Sequence, residues 1–284
     1  MPAFAQEYTT DAKVTCPSCG KVDKDILWTA WETVADNTVT QDLHYQLTAN
    51  VALTGQITVA IGANLLLDLN GFTIQAAKLE RCFDVQGGKL TIIDSSANQT
   101  GAVIGGDVSG NETTGDANVG GAIRVATGGE LNILGGTVKG GYAANGGNIW
   151  CAKNTVLNIT GGVIRDGYAV AVSSSTGRGG NVYTQAVTTI AGNAKILNGF
   201  AQYVSGNSGR GGNLCVHNYA VATIKGNAIV AGGYAGYRGG NILVNYHSSL
   251  TIQENAEIYG GTARKYANNV DVMTSTLNME GGTI

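Results

Sequence analysis

The phrase Gly-Gly-Asn stands at 146–148, 179–181, 211–213 and 239–241, with variants Gly120-Gly121-Ala122 and Ala267-Asn268-Asn269. Its third positions are 26, 33, 32, 28 and 28 residues apart. Such a period marks stacked units, none of which buries its own apolar face alone. The length variation falls in one place, a Gly/Ser-rich stretch before the next phrase, such as Ser173 to Gly180 and Ser205 to Gly212. A loop inserted at one fixed corner of a solenoid produces this pattern.

Within a unit, three short segments alternate apolar and polar residues. Asn241 to Asn245, Leu250 to Ile252 and Ala256 to Tyr259 are separated by small polar corners, and the units at 122–145, 148–178, 181–210 and 213–238 repeat the scheme. Period-2 runs of this kind predict strands, three to a coil. No stretch carries a convincing 3.6-residue apolar period, so helices are expected to be few. The reading is an all-β fold: a right-handed parallel β-helix of about nine three-strand coils over residues 44–284. A cysteine-bearing segment precedes it at 6–43, where Trp28 and Trp31 are expected to help cap the first coil. Earlier, less regular coils are expected from Tyr45, with a polar loop protruding between Asp107 and Asn118.

Composition agrees. Glycine makes up 43 of 284 residues, proline only 2, and charged residues 13%, about half the usual ~25%. Inward columns are expected from Val85, Val125, Ile149, Val182, Leu214 and Ile242 in the first strands, Leu131, Leu157, Ile190, Ile224 and Leu250 in the second, and Val138, Ile164, Ile196, Val230 and Ile258 in the third. Asn148, Asn181, Asn213, Asn241 and Asn269 are expected to form a ladder at one corner. Tyr142, Tyr168, Phe200 and Tyr234 are expected to form an aromatic one. The net charge of −3 leaves no basic stripe for nucleic acid. No apolar run is long enough for a transmembrane helix. Ala3-Phe4-Ala5 has the A-x-A form that precedes a signal-peptidase cut, so residues 1–5 read as the stump of a secretory signal or a scar of expression. The last unit stops at Ile284 inside an expected third strand, which suggests a chain cut from a longer protein or coils that stack end to end between copies.

The runs Leu67-Asp-Leu-Asn-Gly-Phe-Thr-Ile74 and Gly87-Gly-Lys-Leu-Thr-Ile-Ile-Asp-Ser95, followed by the Gly-Gly-Asn coils, resemble the right-handed β-helix repeat proteins that gut Firmicutes secrete or display on their surface. The resemblance covers about 44–284 and implies a pectin-lyase-like fold and a bacterial extracellular or cell-surface location. That fold hosts lyases, glycosidases, tailspikes and adhesins, so function has to come from a site.

In enzymes of that fold the outward face of the first strand carries the active groove. One outward column reads Asp84, Arg124, Trp150, Tyr183, Cys215, Leu243, Asp271, and the next holds Gln86, Ala126, His217, Asn245 and Met273. Asp84 and Asp271 are the only acids on these columns, some six coils or roughly 29 Å apart, too far to share a calcium ion or act as an acid pair. Trp150 and Tyr183 in a row suit sugar stacking, with Arg124 beside them for a carboxylate or sulfate; packing between coils is the alternative. Arg178, Arg210 and Arg238 each precede a Gly-Gly. Stacked guanidiniums ~4.8 Å apart repel by about 1 kcal/mol per pair even in water, so carbonyls, Asp166 or a bound anion should compensate them.

Cys16-Pro-Ser-Cys19 has the form of a zinc knuckle, with His44 or Cys82 as further ligands of one structural zinc; a Cys16–Cys19 disulfide or a redox pair are the rivals. Cys151 is expected to be buried and Cys215 to point outward beside His217. These observations lead to a noncatalytic surface module for adhesion or glycan binding. A polysaccharide lyase or glycoside hydrolase with an atypical site, using Asp84, Arg124 or the 107–118 loop, and a self-associating structural solenoid are the alternatives.

Overall fold

The computed structural model describes residues 26–31, 37–111 and 116–284. Among them there is no α-helix, and every strand pairing is parallel. Sheet I has nine strands in chain order, from Thr38–Val39 and Ile57–Val59 through Phe83–Gln86, Ile123–Ala126, Ile149–Cys151, Val182–Thr184, Leu214–His217 and Ile242–Asn245 to Val270–Met273. Sheet II has two arms, joined where Ser249–Tyr259 and its partner Thr276–Thr283 run through a corner that the earlier turns break. Sheet III stacks the two-residue strands Tyr142–Ala143, Tyr168–Ala169, Phe200–Ala201, Tyr234–Ala235 and Thr262–Ala263. Sequential parallel strands in separate sheets, one turn upon the next, are compatible with a parallel β-solenoid.

Each residue of the Gly-Gly-Asn phrase has its own physical reason. The first glycine, at 146, 179, 211 and 239, sits at φ of 61 to 66°, a left-handed conformation that a side chain disfavours. The second lies against the next turn: a Cβ at Gly147, Gly180, Gly212 or Gly240 would stand 2.0 to 2.2 Å from a carbonyl oxygen. The asparagine forms the predicted ladder. Asn148, Asn181, Asn213 and Asn241 each donate through Nδ2 to the Oδ1 of the next, the last to Asn269, at 2.7 to 3.0 Å. The second Nδ2 hydrogen goes to a backbone carbonyl of Arg165, Leu197, Ala231 or Tyr259 at 2.8 Å. Each Oδ1 also accepts a backbone N–H, such as Gly199 to Asn213 at 2.8 Å. The side chains are wholly buried, so every polar atom needs its partner. Asparagine supplies one acceptor and two donors on a short stem.

The expected aliphatic columns are in place. Phe83, Ile123, Ile149, Val182, Leu214 and Ile242 are successive partners in sheet I and wholly buried. Leu131, Leu157, Ile190, Ile224 and Leu250, with Val138, Ile164, Ile196, Val230 and Ile258, line the same core from sheet II. Trp31 joins this core, while Trp28 packs outside it against Ile26, Leu66 and Ile93. Tyr142, Tyr168, Phe200 and Tyr234 stack with centroids 4.5 to 5.2 Å apart.

In the loop expected to protrude after Asp107, the described residues Asp107, Gly110 and Asp116 are exposed, while its two ends are anchored. Val108, Asn118 and Val119 are buried, and the carbonyls of Asp116 and Ala117 accept hydrogen bonds from Arg81. The cause is the buried guanidinium of Arg81, which takes its acceptors from this loop.

Asn213→Leu keeps the branched shape but leaves the Gly199 N–H without its acceptor and takes one hydrogen bond each from the Ala231 carbonyl, Asn181 Nδ2 and Asn241 Oδ1. It should cost about 1–3 kcal/mol or more, the cost of stranding one buried donor being ~1–3 kcal/mol. The urea midpoint measures this; a loss below about 1 kcal/mol would show that the ladder follows from the stack and does not hold it.

Candidate functional site

The outward column of sheet I runs as the alternation predicts: Asp84, Arg124, Trp150, Tyr183, Cys215, Leu243 and Asp271 are successive Cα partners. Its environment differs from the expectation. Trp150 is 6% exposed and Tyr183 5%, while Cys215 and Leu243 are wholly buried, forming a second apolar strip with Val119, Ala152 and Met273. The Trp150 and Tyr183 rings lie parallel, 3° apart with centroids at 6.5 Å, so they pack coil on coil under cover and offer no open face to a sugar. Cys215 points outward as expected yet is buried, and burial pushes its thiol up to about 12.

The arginine column lies over this strip. Arg178, Arg210 and Arg238 bridge one another through their backbones. Of the partners expected to compensate them, Asp166 pairs with the neighbouring Arg165, and carbonyl oxygens take that place. Arg238 pairs with Asp271 at 2.9 Å, Arg210 donates to the Asn207 side-chain carbonyl, and Arg178 Nε donates to the Asn207 backbone carbonyl at 3.4 Å. Arg210, only 3% exposed, keeps an Nε with no partner among the described residues, and burial followed by its two arginine neighbours pushes its pKa down. His217 sits between layers: Nδ1 is 3.0 Å from the Tyr183 hydroxyl and Nε2 is 3.3 Å from Arg178 Nη1. Burial, then Arg178, Arg210 and Lys153, hold the imidazole down at about 4, so it is neutral at physiological pH.

At the other end of the face, Gln56, Glu80, Arg81, Asp84, Val108, Asn111, Ala117 and Arg124 line a cavity of about 320 Å³. Arg124 Nη1 lies 3.0 Å from both carboxylate oxygens of Asp84, and Gln86 donates to the same carboxylate at 2.8 Å. Arg124 Nη2 is 3.8 Å from Asp116. Arg81 is 4% exposed and donates to the Ala117 carbonyl at 2.6 Å. Burial lowers its pKa, and Arg124 adds to that, against the pull of Asp84, Glu80 and Asp116. The Nε atoms of both arginines are buried and have no partner among the described residues. Two guanidiniums, two amides and two carboxylates around one cavity are a donor and acceptor set for a polyhydroxylated ligand.

Sequence reasoning found Asp84 and Arg124 and missed Glu80 and Arg81. A signal existed: because Phe83 pairs with Ile123, Glu80-Arg81 occupies the place of Gly120-Gly121 one turn later. A charged pair where the next five turns carry Gly-Gly is the anomaly.

Cys16 and Cys19 lie outside the described residues. Cys82 is enclosed in the core, with its thiol donating to the Ile104 carbonyl at 3.2 Å and its pKa pushed up by burial. His44 meets Trp28 edge to face at 6.4 Å. Among the described residues no three His, Cys, Asp or Glu side chains converge to hold a metal.

The depressed pKa of His217 sets a pH window. The unfolded chain takes up this proton near the ordinary value of about 6.5, whereas the folded chain takes it up only near 4. Stability is therefore full above about 6.5 and falls as pH drops towards 4. Proton NMR of the imidazole should show an apparent pKa near 4, and His217→Gln should flatten the acid slope of the melting temperature in that window. An ordinary titration near 6.5 would contradict the buried arrangement.

No protein-family model, curated protein or solved structure matches the chain.

Proposed function

We propose that this chain is a secreted or cell-surface module, a right-handed β-helix of pectin-lyase-like type, that binds carbohydrate without cleaving it. The observation carrying this reading is the Arg81–Asp84–Arg124 cavity, polar, partly open to the outer face of sheet I, and lined by two guanidiniums, two carboxylates and two amides. A sugar ring presents hydroxyls that both accept and donate, matching arginines set beside carboxylates and amides. Arg124 and Asp84 fix each other, so the site is preorganised and little side-chain entropy is lost on binding.

A second reading rests on Glu80 and Asp84 lining the same cavity, since glycoside cleavage uses a pair of carboxyl groups. Product analysis separates the two. Binding without new reducing ends or unsaturated sugars supports the module; products that vanish in Asp84→Asn and Glu80→Gln replace it with an enzyme.

Arg81→Gln removes a charged donor that faces the cavity. The loss of a charge-assisted hydrogen bond, ~1.5–3 kcal/mol, predicts roughly tenfold to hundredfold weaker binding in affinity electrophoresis against a panel of neutral and acidic polysaccharides. Absence of binding by the native chain across the panel would overturn the proposal.

A further inference from the structure

After most strands of sheet I the chain turns a corner through a left-handed residue, though not after Val182–Thr184. Early turns use residues that tolerate it: Gly87 at φ 79°, Gly128 at 84° and Asn154 at 57°. Three later turns place a tyrosine or threonine there, the last of them Thr274 at 46°. Asn218-Tyr219 stands at 63° and 66°, and Tyr246-His247 at 60° and 57°. A bulky side chain in this region brings its Cβ against its own backbone. Gly87 and Gly128 show that the corner can be built without one. Backbone strain of this kind gathers where a ligand is held.

The strained residues are also the exposed ones. Tyr219 is 62% exposed and Tyr246 53%. Tyr219 stacks on His247 at 5.3 Å and meets Tyr246 edge-on at 6.3 Å, and Tyr246 stacks on His217 at 5.4 Å. The cluster is cationic at its margin. Lys153 Nζ stands 5.5 Å from the Tyr219 ring centre, and Arg178 contacts His217 on its other side. The charged groups that act on His217 are Arg178, Arg210 and Lys153, all of one sign.

We propose that this corner, Tyr219, Tyr246 and His247 with Lys153 and Arg178, is a contact site for an acidic saccharide. The sugar ring lies against the exposed tyrosines, and its carboxylate or sulfate meets the cations. The proposal rests on the carbohydrate reading above and narrows it to acidic glycans. Three strand steps of ~4.8 Å separate the Arg124 turn from the Cys215 turn, about 14 Å along one face, so one glycan chain can touch both the cavity and the corner.

The test is affinity electrophoresis of the full chain in polygalacturonate, heparin and dextran. Tyr219→Asn with Tyr246→Asn removes both rings and keeps residues that accept the left-handed backbone, so the melting temperature should hold within about 2 °C. Affinity for the two acidic polymers should fall about tenfold or more. Lys153→Ala, on an exposed side chain, should weaken polygalacturonate and heparin and leave dextran unchanged. Undiminished acidic-polymer affinity in the tyrosine variant overturns the proposal; if that variant melts far below the native chain, undiminished affinity in Lys153→Ala does so. Loss in Arg81→Gln alone leaves the cavity and removes the corner. Loss in the corner variants alone does the reverse. A native chain that binds dextran but neither acidic polymer removes the corner only, and one that binds none of the three removes both.

Discussion

The close approach of backbone to backbone at the Gly-Gly-Asn corner is the constraint on which the rest depends. Carbonyls of the next turn stand 2.0 to 2.2 Å from where a Cβ would be at Gly147, Gly180, Gly212 and Gly240. Only at that spacing do the buried asparagine amides reach one another and the backbone at once. With one corner held to the strand spacing, the aliphatic columns of sheets I and II meet residue on residue, and burial of apolar area supplies the drive. Hydrogen bonds set the geometry, because each costs more when broken than it contributes when made.

A stack fixed in this way has two sides to every strand, and here both are buried along much of sheet I. The outward strip of Trp150, Tyr183, Cys215 and Leu243 forms a second core, covered by long side chains from the loops. Arg178, Arg210 and Arg238 lay their stems across apolar neighbours and hold their charges among Asn207, Asp271 and His217. Polar function is thereby displaced to the ends of the strip. At one end the cavity forms around Arg81 and Arg124; towards the other the exposed Tyr219 and Tyr246 rings form the corner.

Much of this was legible in the residues. Period-2 alternation assigned the outward column of sheet I correctly from Asp84 to Asp271, and the repeat placed the asparagine ladder and the Tyr142–Tyr234 stack. Exposure was not legible. The expectation of an open Trp150–Tyr183 platform failed because alternation says which side of a strand a residue takes, and not whether a loop returns over that side. Asp166 was expected beside the arginine column, but its neighbour Arg165 is closer.

The sequence by itself determined the stack: the spacing of its phrases, the glycines that permit close approach, the amides that lock it and the apolar columns within. These are local rules repeated, and repetition makes them readable. Tertiary structure alone decided what covers the outer face and where it opens. The cavity joins Arg81 to Asp116 and Ala117, 35 and 36 residues on, and Arg124 to Asp84, 40 residues back. The corner joins Lys153 to Tyr219, and Tyr219 to Tyr246. Such meetings depend on the return paths of individual loops, which the period does not fix, and on buried guanidiniums that take whichever acceptors those loops bring.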